Sequence, residues 1–577
     1  MQKQLSINNL FAPNRLNKWQ QTGIRMLDRL LGISKMNTLY CRHNMQGLSK
    51  EAFADKLLEI LDVSISGEQT FLAKIPKTGP LVIASNHPFG GIEGVILARV
   101  ISKIRPDLKV LANQGLKLFD ELTPYFIFTN PLSEKDPRNG PSLRHCLQHV
   151  KAGNALLMFP AGRVSYYQAD KKRISEHGWN RIVKRLCAVD DAQYLPVFIN
   201  GQNSQWFYRL GRIYYRLRML MLARELLNKK GTTVYLDCGF PVSGHKVSSP
   251  ELARAMSYAQ GRHWQTQWPE ETNSEHQQLL SPIDQALIGE ELKNLPAEQK
   301  LLQHKNYQIF YGWQTQLSHT VTEIARLREW VFRQHNEGSG LPLDTDDFDA
   351  TYIHLFVFDI DNNEIVGAYR MGQTDQLIEH AGLAGVYLNK MFKFSPQFVN
   401  QQQPCLELGR SFLVPRLQRS HIGLYLLWRG IGAFVCKFPQ YRTLYGTVSI
   451  SKLYDPRSVT LIEHAYVERS EKVTPRLAFE KSVEPEIAEY AKLNPLKNDI
   501  PALLQSLEAD GKGIPILQKQ YLKLGAKCHC LGIDPSFNQT PGLLLSVDLT
   551  QIPIKLLKLY LGKNFQNYLD YPQRSVK

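Results

Sequence analysis

The chain has no run of about 18 or more consecutive apolar residues, the length a helix needs to cross a bilayer, so no membrane span is expected. Its opening, Met1 to Leu16, lacks the apolar core of a secretory signal. Cysteine is scarce: eight in 577 residues, scattered except for Cys528 and Cys530. That excludes a disulfide framework and suits buried thiols in a reducing compartment. The triplet Cys528-His529-Cys530 offers too few ligands for a zinc site, and no metal is expected. There is no low-complexity segment and no internal repeat. Acidic residues are also short, 53 against 69 Lys and Arg, which leaves a net charge of +16. Such a surface favours polyanions: nucleic acid, anionic lipid, or an acidic protein.

With 43% hydrophobic and 21% charged residues the chain is a globular protein, not a disordered or collagenous one. Its length allows about three to five structural units, or two large ones joined by a linker. In the first half, apolar strand-like runs (80–85, 108–112, 155–159, 194–199, 232–236) alternate with helical stretches such as 93–104. This pattern predicts an α/β layered domain with its active loops at strand ends. Residues 246–304 are polar, least hydrophobic from Trp268 to Glu275, and read as a linker with a helix beginning near Pro282. A second α/β pattern follows over 305–577: a helix over 320–334, a hairpin over 354–371, strands at 406–414 and 443–450, and a helix at 424–437. The expected division is therefore 1–245, 246–304 and 305–577.

Asn86-His87-Pro88-Phe89-Gly90-Gly91-Ile92-Glu93-Gly94 lies at the end of a predicted strand. Glycines let the turn bend, and the spacing can set Glu93 beside His87, orienting the imidazole to activate a hydroxyl. The plainer alternative is a histidine that merely caps a helix. Downstream, Phe159-Pro160-Ala161-Gly162-Arg163-Val164-Ser165 ends a second strand, and Leu195-Pro196-Val197 lies in a third. Together these blocks resemble the glycerolipid (lysophospholipid) acyltransferase family over residues 70–240. The resemblance implies that His87 and Glu93 activate an acceptor hydroxyl against an acyl thioester, and that Gly162 and Arg163 help bind the acceptor. Five residues separate His87 from its acid where the family usually has four. Ala161 stands where the family has Glu, and Arg163 comes one place early. A branch that includes hemolysin-like proteins and lyso-ornithine-lipid acyltransferases is similar to this variant.

From Trp206 to Lys230, Leu210, Ile213, Leu217, Leu220 and Leu227 fall at helical spacing among Arg209, Arg212, Arg216, Arg218 and Arg224, with a net charge of +6. A basic amphipathic helix of this kind suits an anionic bilayer surface; an ordinary helix with a solvated basic face is the equal alternative.

In the second half, Arg328, Phe332, Asp346, Asp349, Arg370, Glu407 and Arg410 recur at or near strand and helix ends. Taken singly, such charges are usually structural ion pairs. Their order, with Leu427-Trp428-Arg429-Gly430 and the stretch 514–527, resembles the N-acyltransferases of ornithine-lipid synthesis and, more distantly, acyl-homoserine-lactone synthases, both of the GNAT superfamily. The resemblance implies Glu407 as the base that takes a proton from an α-amine, with Arg328, Phe332, Asp346, Asp349, Arg370 and Arg410 around the substrates. Asp346 and Asp349 either hold the cationic end of a basic amino acid or pair with Arg328 and Arg370. The segment Pro415 to Gly423 carries one glycine where coenzyme A-binding turns carry more. That leaves room for an acyl group borne on carrier protein.

Both halves together resemble the bifunctional ornithine lipid synthases. The resemblance implies an N-terminal O-acyltransferase, a C-terminal N-acyltransferase and acyl carrier protein thioesters as donors. No cofactor and no nucleic-acid partner are expected. The expected location is the cytoplasm, peripherally on the inner face of the cytoplasmic membrane, against membrane lipids. Glycine or another amino acid as acceptor remains open, as do a scaffold with inactive acyltransferase domains and a quorum-signal synthase.

Overall fold

The computed structural model describes residues 18–113, 119–130, 137, 139–213, 215–264, 268, 276–479 and 482–572. The chain divides into two compact units, and the division departs from the one expected. One unit holds residues 1–265 together with 483–513; the other holds 266–482 and 514–577.

The first unit is built on strands β1 (Ser64–Ser66), β2 (Leu81–Ser85), β3 (Lys109–Asn113), β4 (Phe126–Thr129), β5 (Ala155–Met158), a small hairpin of β6 (Tyr166–Gln168) and β7 (Arg173–Ser175), then β8 (Gln193–Ile199), β9 (Thr233–Cys238) and β10 (Val242–Ser243). Their sheet order is β1-β9-β8-β2-β5-β3-β4, with β10 also against β8. Pairing is parallel from β8 through β2, β5 and β3 to β4. Every residue of β2 and β5 is buried, as the unbroken apolar runs require of central parallel strands. The helix Ile92–Ile101 is also buried almost all round, so its N-terminus is held rigidly at the end of β2.

The proposed linker is mostly not one. Helix Pro250–Tyr258 packs into the first unit, while helix Gln285–Asn294 and the strand after it belong to the second. Residues 269–275, within the least hydrophobic stretch, lie outside the described residues. The helices Pro485–Leu493 and Leu496–Leu507, expected in the second domain, join the first. Buried charge explains their placement: Glu486 pairs with Arg254 at 2.7 Å and Arg173 at 2.9 Å and accepts from Ser175 Oγ at 2.7 Å. A helical pattern in the sequence reveals an apolar face but not the arginines that claim the helix.

The second unit carries β11 (Lys300–His304), β12 (Tyr307–Gly312), β13 (Ile353–Asp359), β14 (Glu364–Gln373), β15 (Phe392–Phe394), β16 (Cys405–Leu413), β17 (Thr443–Ser449), β18 (Val473–Pro475), β19 (Lys527–Asp534) and β20 (Thr540–Asp548). Eight of these form one sheet in the order β11-β12-β13-β14-β16-β17-β20-β19. Only the β16–β17 pair in it is parallel. That pairing ends at Leu408 and Gly446, although β16 runs on against β14 to Leu413 and β17 runs on against β20 to Ser449. The two central strands therefore part, and a cleft opens between them. On β16, Arg410 has φ 48° at a bulge facing β14, and the bulge re-aims its side chain. The helix Ser318–Arg333 covers the sheet with Val321, Ile324, Leu327, Arg328, Val331 and Phe332, a helical stripe whose apolar residues bury against the strands.

Candidate active sites

In the first unit the glycine turn after β2 folds back on the helix it starts. Glu93, in the first helical turn, is wholly buried and accepts backbone N–H groups of Phe89 (2.9 Å), Gly90 (2.8 Å) and Gly91 (2.8 Å). Its Oε1 lies 2.9 Å from His87 Nδ1, close enough for an ion pair though off the best hydrogen-bond line, because the same oxygen already takes two amides. Burial alone pushes the Glu93 carboxyl up; the neighbouring imidazole and the amides outweigh it and bring the pKa down to about 2. Glu93 is thus a fixed anion at neutral pH, and it directs Nδ1 inward. Nε2 is then the nitrogen left for an acceptor hydroxyl. The bland alternative of a capping histidine gains nothing from this geometry: it is Glu93, not His87, that takes the amides of the glycine turn leading into the helix.

Gly90 is required here. Its φ is 96°, and a Cβ would lie 2.5 Å from Leu222 Cδ2 and 2.6 Å from Val164 Cγ2. Gly162, at φ 65°, turns the second block so that its N–H reaches Phe159 O at 2.9 Å. That turn brings Phe159 against the imidazole (centroids 4.5 Å apart) and the Ser165 N–H onto His87 O at 2.9 Å. Arg163 lies two residues before Ser165, close enough for its charge, with that of Arg218, to help burial depress the pKa of His177.

Three positioning groups escaped the sequence reading. Asn86 accepts from Ile199 N (2.7 Å) and donates to Ile199 O (2.8 Å), locking the end of β2 to the end of β8. Asn203 Nδ2 donates to Phe89 O at 3.0 Å. The fully buried Glu176 accepts from the His87 backbone N–H and from Trp179 Nε1 at 3.0 Å. Asn86 adjoins the motif and was within reach of it; nothing in the sequence spacing links Glu176 or Asn203 to His87.

In the second unit, Phe332, Arg370, Glu407 and Arg410 line one cleft of about 80 Å³, beside Tyr352, Tyr387, Leu388, Ser449, Tyr521, Asp534 and Thr540. Glu407 sits one residue before the parting of β16 and β17. It accepts from Tyr352 OH (2.7 Å), Leu388 N–H (3.1 Å) and, more weakly, Tyr445 OH (3.5 Å). Burial pushes its pKa up to about 7, against those donors and Arg370. A carboxyl that gives and takes a proton near neutrality suits a general base.

Arg328, Asp346 and Asp349 do not line this cleft; they stand behind it. Arg370 binds Asp346 at 2.5 Å and Asp349 at 3.1 Å; Arg328 binds Asp349 at 3.2 Å and Asp344 at 3.1 Å. Arg410 reaches Asp344 at 3.5 Å. The two acids expected to hold a cationic substrate are consumed by arginines, so that expectation gives way to its alternative, structural pairing. Replacing Asp349 by Asn leaves two buried guanidiniums short of charge, and a loss of about 3–5 kcal/mol is expected in urea unfolding.

The basic segment divides into the helices Gln205–Ile213 and Tyr215–Leu227. The side chains of residues 215–217, 219 and 220, among them Arg216, Leu217 and Leu220, lie outside the described residues. Trp206 and Ile213 are 63% and 78% exposed. Glu225 and Lys229, counted with the basic face, turn inward: Glu225 accepts from Ser204 N–H and Oγ, and Lys229 donates to Gln202 O at 2.8 Å.

Residues 12–256 match the family model described as acyltransferase, and residues 327–429 match that of the acetyltransferase (GNAT) domain. The chain is an acyltransferase that joins an N-terminal acyltransferase domain to a C-terminal GNAT domain, as expected from its motifs. Among its relatives, a glycine N(alpha)-acyltransferase of Bacteroides thetaiotaomicron is 28% identical over 293 residues, covering 47% of this chain and 86% of that protein. A lyso-glycine lipid O-acyltransferase of Phocaeicola vulgatus is 29% identical over 201 residues, covering 33% of this chain and 68% of that protein.

Proposed function

We propose that the chain makes a doubly acylated aminolipid in two steps. In the second unit, Glu407 removes a proton from the α-amine of an amino acid, which then attacks a 3-hydroxyacyl thioester; the amide C–N bond forms as the C–S bond breaks and the carrier's thiol leaves. In the first unit, His87, held by Glu93, removes a proton from the hydroxyl of that product, whose oxygen attacks a second acyl thioester; the ester C–O bond forms, the C–S bond breaks, and the imidazole returns its proton to the leaving thiolate. The observation that carries this reading is the presence on one chain of a His-carboxylate pair and a separate buried carboxyl poised near neutrality. A protonated α-amine, with a reference pKa of about 7.7–8.0, needs a base of this strength to be relieved of its proton. The names of the relatives, one N-acylating and one O-acylating, support the same pair of reactions.

The acceptor is read as ornithine and the donors as acyl carrier protein thioesters. Net charge supports the donor reading: a chain at +16 attracts a strongly acidic carrier. Glycine is the second reading, favoured by the names of the relatives and by the pairing of Asp346 and Asp349 with arginines. Expression in a host without aminolipids, followed by mass spectrometry, should give one mono-acylated and one di-acylated lipid with an ornithine headgroup fragment. A glycine fragment selects the second reading, and no new lipid refutes both.

Among the described residues no helix is long and apolar enough to cross a membrane. Peripheral attachment through the first unit is proposed, supported by Trp206 and Ile213 beside exposed Arg209 and Arg212, and by Met26, Leu27 and Leu30, also exposed. A Trp206→Glu/Ile213→Glu variant should lose at least about tenfold in sedimentation with anionic vesicles.

A further inference from the structure

The arginines in and behind the cleft of the second unit are matched by aspartates. Arg328, Arg370 and Arg410 face Asp344, Asp346 and Asp349, three buried or half-buried pairs of opposite sign. A fourth aspartate is left over. Asp534, at the end of β19, is 6% exposed and lines the cleft, yet it makes no ion pair among the described residues. It accepts from the Tyr387 hydroxyl at 2.7 Å and from the Ser536 N–H at 3.0 Å. Directly opposite it in the β19–β20 pairing stands Thr540, whose side chain shares its face of the sheet. Thr540 is 1% exposed, lines the same cleft, and its Oγ1 has no hydrogen-bond partner. A buried carboxylate that meets Arg410 through the Tyr387 hydroxyl and not by a direct ion pair, and a buried hydroxyl without a partner, are both unfavourable, and they adjoin.

We propose that Asp534 and Thr540 form the subsite that receives the side-chain ammonium of the acceptor amino acid, so that this chain selects a cationic acceptor over glycine. The inference rests on the reading of the second unit as an amino-acid N-acyltransferase. An ammonium supplies Asp534 with a direct ion pair and Thr540 Oγ1 with a donor. Tyr387 sets the spacing. Its backbone N–H donates to Tyr352 OH at 2.8 Å, and Tyr352 in turn donates to Glu407; its own hydroxyl reaches Asp534. Tyr387 thus bridges base and subsite, its N–H reaching Glu407 through Tyr352 and its hydroxyl reaching Asp534, so an extended substrate with two amines can meet both carboxylates. Arg410 also lines the cleft; its Nε faces Asp344 at 3.5 Å and its Nη2 donates to the Tyr387 hydroxyl at 2.8 Å, which fixes Tyr387 beside Asp534.

The test uses the purified full-length chain with a 3-hydroxyacyl carrier-protein thioester and three acceptors: ornithine, norvaline (the same side chain without its amine) and glycine. Wild type should prefer ornithine to either of the others by roughly 10²-fold or more in kcat/KM, since a site built for a polar group rejects the analogue lacking it. In Asp534→Asn that ratio should collapse toward one, and Thr540→Val should lower it by a smaller factor. Both variants should be checked for an unchanged thermal midpoint. An unchanged ratio in Asp534→Asn, or equal losses for ornithine and glycine, overturns the subsite. A wild-type chain that acylates none of the three overturns the N-acyltransferase reading itself.

Discussion

A Glu407→Gln variant is expected to produce neither the mono-acylated nor the di-acylated lipid, with N-acyl transfer down by about 10²–10⁴-fold, the usual contribution of a positioned base. Both products vanish because the hydroxyl esterified in the first unit arrives on the acyl chain attached in the second. The pH profile separates loss of the base from loss of the fold. Wild-type kcat/KM should rise as Glu407 ionises near pH 7, and the variant should lack that limb. Stability should move the other way. Because burial lifts the folded-state pKa from 4.5 to about 7, the carboxyl's contribution is full below pH 4.5 and is lost as pH rises through 7. Glu337, buried and likewise pushed up to about 7, adds a second loss of the same sign. Glu407→Gln should therefore be at least as stable as wild type at pH 8, by up to about 3 kcal/mol, and indistinguishable from it near pH 4. Urea unfolding at the two pH values checks this. A destabilised variant at pH 8 would mean that Glu407 is a structural acid.

The asymmetry between the two units in what could be read beforehand has a physical origin. In the first, the chemistry is local: His87 and Glu93 share one turn, so their meeting follows from six residues of chain and two glycines. In the second, the groups that matter converge from strands distant in sequence. Glu407 and Arg410 were legible because they sit together on β16. The use of Asp346 and Asp349 was decided by Arg328 and Arg370, whose approach depends on how the helix Ser318–Arg333 packs on the sheet. Asp534 and Thr540 gave no signal at all, since only the β19–β20 register sets them side by side. Strand positions were legible for a related reason. Buried parallel strands such as β2 and β5 are continuous apolar runs, whereas the helices of 485–507 advertise an apolar face without naming the partner that takes it.

Replacing His87 by Ala should leave N-acylation intact and halt esterification, so the mono-acylated lipid accumulates while the di-acylated product falls by about 10²–10⁴-fold. The fold should survive. Glu93 keeps its three backbone donors when the imidazole is removed, and His87 itself is part-exposed against Phe159. Glu93→Gln should abolish the same step for a different reason. An amide presents a donor where three N–H groups require acceptors, and a loss of about 3–5 kcal/mol is expected alongside the loss of activity. Acid separates the two variants further. The wild-type Glu93 carboxyl, held at about 2 against 4.5 in the unfolded chain, contributes stability that is full above pH 4.5 and lost as pH falls toward 2. The Gln variant lacks that contribution at every pH, so the stability gap between wild type and Glu93→Gln should narrow below pH 4.5. His87→Ala keeps the amide cage but loses the imidazole, the strongest influence holding the Glu93 carboxyl down, so its acid dependence should also shrink. A His87→Ala chain that still makes the di-acylated lipid at the wild-type rate would place the esterifying chemistry elsewhere, and the dyad would then be a turn built only to start a helix.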